Sequence, residues 1–175
     1  MNKHKIAFIT VLLLSNPTFA QVAEEADSEP MQDQNTVFGV WATERVPEEG
    51  EDRIAHIKIE PCKGNQQKAC GKIVWSELKV DPETGKAPLD KLNSEESLRS
   101  RPIMCLEIMH GFTAASPNTY EDGELYSTRT GKTYTGEMTL IDPNHIKLRG
   151  SVLFGLIGRE TTWTRVKNPG KDPCK

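Results

Sequence analysis

The stretch VFGVWATE, residues Val37–Glu44, decides how this chain folds. Gly39 and Trp41 stand two apart, so in an extended strand they share one face. From Thr36 onward the chain reads as short runs rich in β-branched and aromatic residues, separated by turn residues. The runs predict eight strands: Thr36–Thr43, Arg53–Glu60, Gly71–Glu77, Ile103–Gly111, Gly123–Ser127, Lys132–Ile141, His145–Val152 and Glu160–Val166. Ala55, Ile57 and Ile59 alternate with His56 and Lys58, and Ile146, Leu148 and Gly150 alternate with Lys147 and Arg149. Such alternation means one buried and one wet face, as in antiparallel sheet.

Turn signals stand where hairpins need them, in RTGK at Arg129–Lys132 and DPNH at Asp142–His145. The one long connection runs from Leu78 to Arg101 and holds DPETG and the helix-like NSEESL, which Asn93 or Ser94 suits as a cap. About 130 residues from Thr36 to Val166 suffice for one domain with one core. Eight antiparallel strands of this size make either a sandwich or a closed barrel, and a barrel interior is then filled by side chains or holds one small ligand.

Outside this region, residues 1–20 read as a secretory signal peptide. Lys3 and Lys5 give a basic start, Ile6 to Leu14 an apolar run too short to anchor in a bilayer, and Thr18 and Ala20 small residues at the cleavage positions. Export to periplasm or medium is expected. Loss of Lys3 and Lys5 takes the formal charge from −3 to −5, which gives no electrostatic case for binding nucleic acid or anionic lipid. Residues 21–35 form an acidic, polar leader expected to be disordered. The domain is expected at 36–167 and a C-terminal tail at 168–175.

All four cysteines, Cys62, Cys70, Cys105 and Cys174, follow the signal, where oxidation favours disulfides, and they allow three pairings. The polar hairpin KGNQQKA favours Cys62–Cys70, and Cys105 with Cys174 would then tie a strand to the tail. In the loop-entropy account the short pair stabilises by roughly 2–3 kcal/mol and the long one by about 4. A zinc site is the rival reading, but the close ligand spacings are missing, so no metal is expected.

Two resemblances decide for the barrel. Gly39-x-Trp41 in the first strand with Trp163-Thr164-Arg165 in the last resembles the signature of the calycins, the lipocalins and fatty-acid-binding proteins. In those families the tryptophan packs at the closed end and a basic residue of the last strand lies across its ring. The resemblance implies that Gly39, Trp41, Trp163 and Arg165 form the barrel floor, with a cation–π contact of roughly 1–2 kcal/mol. A closer resemblance rests on GVW, then PC…CGKIVW at Pro61–Trp75, LRSRP at Leu98–Pro102, GKTY at Gly131–Tyr134, KLRG at Lys147–Gly150 and GRETTWTRV at Gly158–Val166. In that order they are similar to the bacterial secreted family known as domain of unknown function 2147. The family implies a lipocalin-like barrel and export, and no established catalytic activity. Cys105, where a glycine is usual, and Cys174 depart from its pattern together, which supports their pairing. In true lipocalins the large loop follows the first strand, so ligand access here need not be theirs.

The fold expected is thus an all-β, antiparallel, eight-stranded lipocalin-like barrel with one long loop carrying a short helix. GKT at Gly131–Thr133 lacks the upstream glycine of a phosphate loop, since Tyr126 stands there. His56, His110 and His145 form no catalytic or metal motif, and Glu107 falls on the wet face opposite Met104, Leu106 and Ile108. No catalytic residue and no cofactor are expected, and the chain reads as a non-catalytic binder of a small apolar or amphipathic ligand. A filled barrel acting as an envelope-associated interaction or structural protein is the alternative from another class, and an enzyme a third. If a pocket exists, strand parity assigns its wall to Ile57, Ile73, Trp75, Leu106, Tyr134, Met138 and Leu148. Arg99 and Arg101 would either hold an anionic head group at its rim or anchor the long loop by capping and ion pairing.

Overall fold

The computed structural model describes residues 35–45, 53–152 and 157–175. The segments expected to be a signal peptide and, up to residue 34, a leader lie outside them. The described chain forms β1 Gly39–Ala42, β2 Ala55–Cys62, β3 Asn65–Ser76, β4 Glu107–Ser116, β5 Thr119–Ser127, β6 Lys132–Asp142, β7 His145–Val152 and β8 Ile157–Arg165. Each strand pairs with the next, and β1 pairs with β8, so the sheet closes into an eight-stranded barrel. The closing register is Trp41 opposite Arg165 and Ala42 opposite Thr164. Among the described residues no helix is long and apolar enough to cross a membrane, and the only helical segment is the 3₁₀ turn Glu96–Leu98.

The inward ladders follow from the alternation. On β7, Ile146 and Leu148 are buried and face Trp163 and Thr161 of β8. On β6, Met138 and Leu140 are buried and face Leu148 and Ile146. One end of the barrel is filled. Val37, Trp41, Ile59, Phe112, Met138 and Ile146 are each at most 1% exposed and pack together there.

Arg165 seals that end. Its guanidinium lies 4.0 Å from the centroid of Trp41. It donates to the carbonyls of Phe38 at 2.9 Å, Thr36 and Pro143. The Trp41 indole donates to the Val37 carbonyl at 2.8 Å. Gly39 explains itself here: its φ is +134°, and a β-carbon on it would stand 2.6 Å from Arg165 Nη1. The glycine is the bed on which the arginine lies.

Both expected disulfides are present, Cys62–Cys70 and Cys105–Cys174. The second clips the tail to the outside of the barrel. There Asp172 accepts from Lys58 at 2.9 Å, while Lys58 and Lys72 each reach Glu60 at 2.8 Å.

The strand bounds differ from expectation in one place that matters. β4 begins at Glu107, not at Ile103. Residues 103–106 make a turn in which Cys105, despite its side chain, adopts φ 67°. The turn is fixed from both sides, since Cys105 N–H donates to Ile73 O at 2.9 Å and Ile73 N–H donates to Leu106 O at 3.0 Å.

Candidate ligand-binding cavity

The other end of the barrel is open. Above the filled half lies a cavity of about 870 Å³. Its floor is Ile57, Ile73, Leu148 and Trp163, which also belong to the core beneath. Leu125, Ile103 and Tyr134 add to the wall, and the Tyr134 hydroxyl lies 3.2 Å from that of Thr130. The interior is therefore neither wholly filled nor wholly hollow, because parity assigns a side chain to the inside without saying at what depth.

Four of the expected wall residues, Ile57, Ile73, Tyr134 and Leu148, line this cavity. Met138 faces inward as expected but lies beneath, fully buried in the filled half. Trp75 points the other way. Ile57 pairs with Ile73 but His56 pairs with Trp75, so β3 holds one extra residue, Val74, at this point. A bulge reverses the alternation beyond it. Ser76 therefore lines the cavity in place of Trp75, and the indole stacks outside on His56 with ring centroids 4.3 Å apart. Lys79 covers the same indole, its ammonium 4.3 Å from the centroid. Leu106 is likewise not in the wall; it belongs to the turn before β4, and Met109 and Phe112 take the inward places of that strand.

Arg99 and Arg101 are not at the cavity. Arg101 donates through Nε and Nη2 to Asp90 Oδ2, both at 2.9 Å. Asp90 is fully buried and also accepts from the Tyr126 hydroxyl at 2.6 Å and from Asn93 Nδ2 at 2.9 Å. Burial first, and then the Asp90 carboxylate, push the Tyr126 phenol up. Arg99 donates to the Asn93 carbonyl at 2.8 Å. The LRSRP segment thus anchors the long connection to β5, and its two arginines do not reach the cavity rim. Ala87 and Pro88 of that connection, with Ile103 and Met104 of the turn before β4, complete one side of the mouth.

The cations that do line the cavity are Arg53, Arg129 and Arg159, with Lys79, against the single carboxylate of Glu44. Glu44 is itself engaged by the Thr162 N–H at 2.9 Å. A signal for two of the arginines exists in the sequence parity: Arg53 stands two residues before Ala55 and Ile57 of β2, and Trp163, Thr161 and Arg159 step up β8. Opposite Arg159 on β7 stands Gly150. The turn-borne Arg129 carries no such signal.

The DPETG segment of the long connection holds its shape through Asp81. Its Oδ1 accepts from the N–H groups of Glu83 and Thr84 at 3.0 Å, and Oδ2 pairs with Lys91 at 2.6 Å. Lys91 above all, then these N–H groups, outweigh the effect of burial and hold the carboxyl at about 2. A depressed carboxyl stabilises the folded loop above its ordinary value of 3.8, and that contribution fades as the pH falls through about 2. The amide resonances of Glu83 and Thr84 are therefore expected to titrate with a midpoint near 2; a midpoint at 3.8 would show that Asp81 is not held.

A closed antiparallel barrel with a filled floor, an open mouth and a Gly-x-Trp strand locked by a last-strand arginine defines a lipocalin-like fold. The chain belongs to the bacterial family described as "Uncharacterized protein conserved in bacteria (DUF2147)", which matches residues 39–165. Among solved structures it is similar to protein HP1028 of Helicobacter pylori, described as belonging to the lipocalin family, with a TM-score of 0.63, 19% identity and coverage of 76% of this chain and 84% of that one. A redesigned β-barrel aligns over 74% of this chain and 90% of its own at 15% identity and a TM-score of 0.43. No curated protein matches the chain. At 19% identity the likeness to the Helicobacter pylori protein is one of fold.

Proposed function

We propose that the protein binds a small amphipathic molecule with an acidic head group and releases it unchanged. The open upper half of the barrel carries this reading, since about 870 Å³ falls within the roughly 300–1,000 Å³ of small-molecule sites. An apolar tail set against Leu125, Leu148 and Trp163 leaves water, at on the order of 25 cal/mol for each Å² buried. Arg53, Arg129 and Arg159 suit a carboxylate or phosphate at the mouth. Guanidiniums and hydroxyls hold an anion; they are not a nucleophile paired with a base.

The test is a dansyl fatty acid together with Gly150→Phe. A β-carbon at Gly150 meets Leu125 and Tyr134 at 3.6 Å, ordinary contact, so the phenyl is expected to occupy the cavity without displacing the wall. The wild-type protein should bind the probe and transfer Trp163 emission to it. Gly150→Phe should weaken binding by more than roughly tenfold while moving Tm by less than about 4 °C. Unchanged affinity in that variant would place the probe elsewhere and remove the reading. Arg159→Ala should weaken the dansyl acid and leave the corresponding amide unaffected.

A further inference from the structure

On the outer wall of the barrel, β3 brings one donor atom beside two that β4 carries three residues apart. Cys70 Sγ lies 3.6 Å from His110 Nδ1, and that nitrogen lies 2.6 Å from Glu107 Oε1. All three donors are within 4.8 Å of one another. The fourth candidate is Cys62, whose sulfur is bonded to that of Cys70. His110 and Glu107 are 65% and 51% exposed at their side chains, whereas Cys62 and Cys70 are each only 5% exposed. A second cavity of about 640 Å³, between the long connection and β4–β6, opens beside His110, Glu107 and the cross-strand Glu124.

We infer that reduction of Cys62–Cys70 creates a site for a zinc-class divalent cation, with Cys70, His110, Glu107 and Cys62 as ligands. Sulfur, imidazole and carboxylate are the donors that zinc takes in tetrahedral sites. In the disulfide the sulfurs carry no charge, and only the imidazole and the carboxylate remain as strong donors. Reduction changes this. A dithiol reductant delivers two electrons and two protons to the S–S bond and becomes a disulfide itself; the cation then displaces the two thiol protons to solvent. The two states of the hairpin therefore exclude one another, covalent bond or metal. The nearby ammonium of Lys72, cross-strand to Glu107, is drawn away to Glu60 at 2.8 Å and leaves Glu107 to His110.

The site was hidden in the sequence because its two halves, Cys62–Cys70 and Glu107–His110, lie far apart: Cys70 and His110 are 40 residues apart. Pairing of Gly71 with Met109 is what sets them side by side.

The experiment uses Cys62→Ser, which frees Cys70 while leaving Cys105–Cys174 intact, and Co²⁺ as the probe. Cobalt added to this variant is expected to give a thiolate-to-metal charge-transfer band and tetrahedral d–d bands, both abolished by an excess of Zn²⁺. Adding His110→Ala to the variant should weaken cobalt binding by more than roughly tenfold, in line with the loss of a ligand. His110 is exposed, so that change is not expected to disturb the fold. Oxidised wild-type protein should show no charge-transfer band. If Cys62→Ser does not fold, gently reduced wild-type and His110→Ala proteins are compared in the same way. A cobalt spectrum and affinity indifferent to His110, or no thiolate band in any reduced form, would overturn the inference.

Discussion

Gly123→Ala is expected to lower the unfolding free energy by about 3 kcal/mol, an unusually large loss for one added methyl group. Gly123 of β5 and Gly136 of β6 are direct cross-strand partners. Together they make a flat notch on the inner wall, and the ring of Phe112 lies in it. A β-carbon on Gly123 would stand 2.3 Å from two carbons of that ring, and one on Gly136 would stand 2.5 Å from a third. Phe112 is fully buried, so the ring has nowhere to retreat. Urea unfolding of Gly123→Ala, Phe112→Leu and the double variant checks this. The smaller leucine side chain of Phe112→Leu should recover part of the loss, so the two changes should be strongly non-additive. Additive losses would mean that the notch and the ring are not one contact. Gly150 differs in kind: the Gly123–Gly136 pair accommodates a side chain already present, while Gly150 borders open space.

Arg165→Ala should be more costly still, about 3–5 kcal/mol. The guanidinium satisfies carbonyls of Thr36, Phe38 and Pro143 and lies over Trp41. Its removal leaves those carbonyls without their charged donor and opens the buried indole to water. Arg165→Lys should recover little, because one ammonium does not reproduce a planar fork reaching three separate carbonyls. In a double-mutant cycle with Trp41→Phe, the coupling isolates the ring contact, expected at roughly 1–2 kcal/mol. A coupling of zero would assign the whole effect of Arg165 to the carbonyls.

The architecture was legible because its signals are local. Alternation and turn residues located the eight strands, and the resemblance of Gly39–Trp41 and Trp163–Arg165 to the calycin signature implied the closing seam. The cysteine pairing also stood in the sequence, one bridge through its hairpin and the other through two residues that depart together from the family pattern. The site was legible only where parity survived unbroken, at Ile57, Ile73, Tyr134 and Leu148. At Trp75 one inserted residue reversed it, and at Leu106 a left-handed Cys105 ended the strand logic altogether. No propensity scale marks either event, because neither a bulge at a valine nor a positive φ at a cysteine is an intrinsic preference. For Arg99 and Arg101 the sequence left rim and anchor both open, for another reason. Their neighbour in the fold, Asp90, is an ordinary loop aspartate until the fold buries it against Arg101.

The seam has a kinetic consequence. Every other strand pair joins consecutive strands, the longest separation being the connection between β3 and β4. The β1–β8 pairing alone must gather the two ends of the domain, and the Arg165 bond to Phe38 spans 127 residues. Loop closure of that length is entropically unfavourable before any contact repays it, which ranks the seam among the last structures to form. Interactions absent from the transition state govern how fast a protein comes apart, not how fast it assembles. Arg165 and Trp41 therefore act as the latch on the lifetime of the folded barrel: weakening them should shorten that lifetime many-fold while the refolding rate hardly changes.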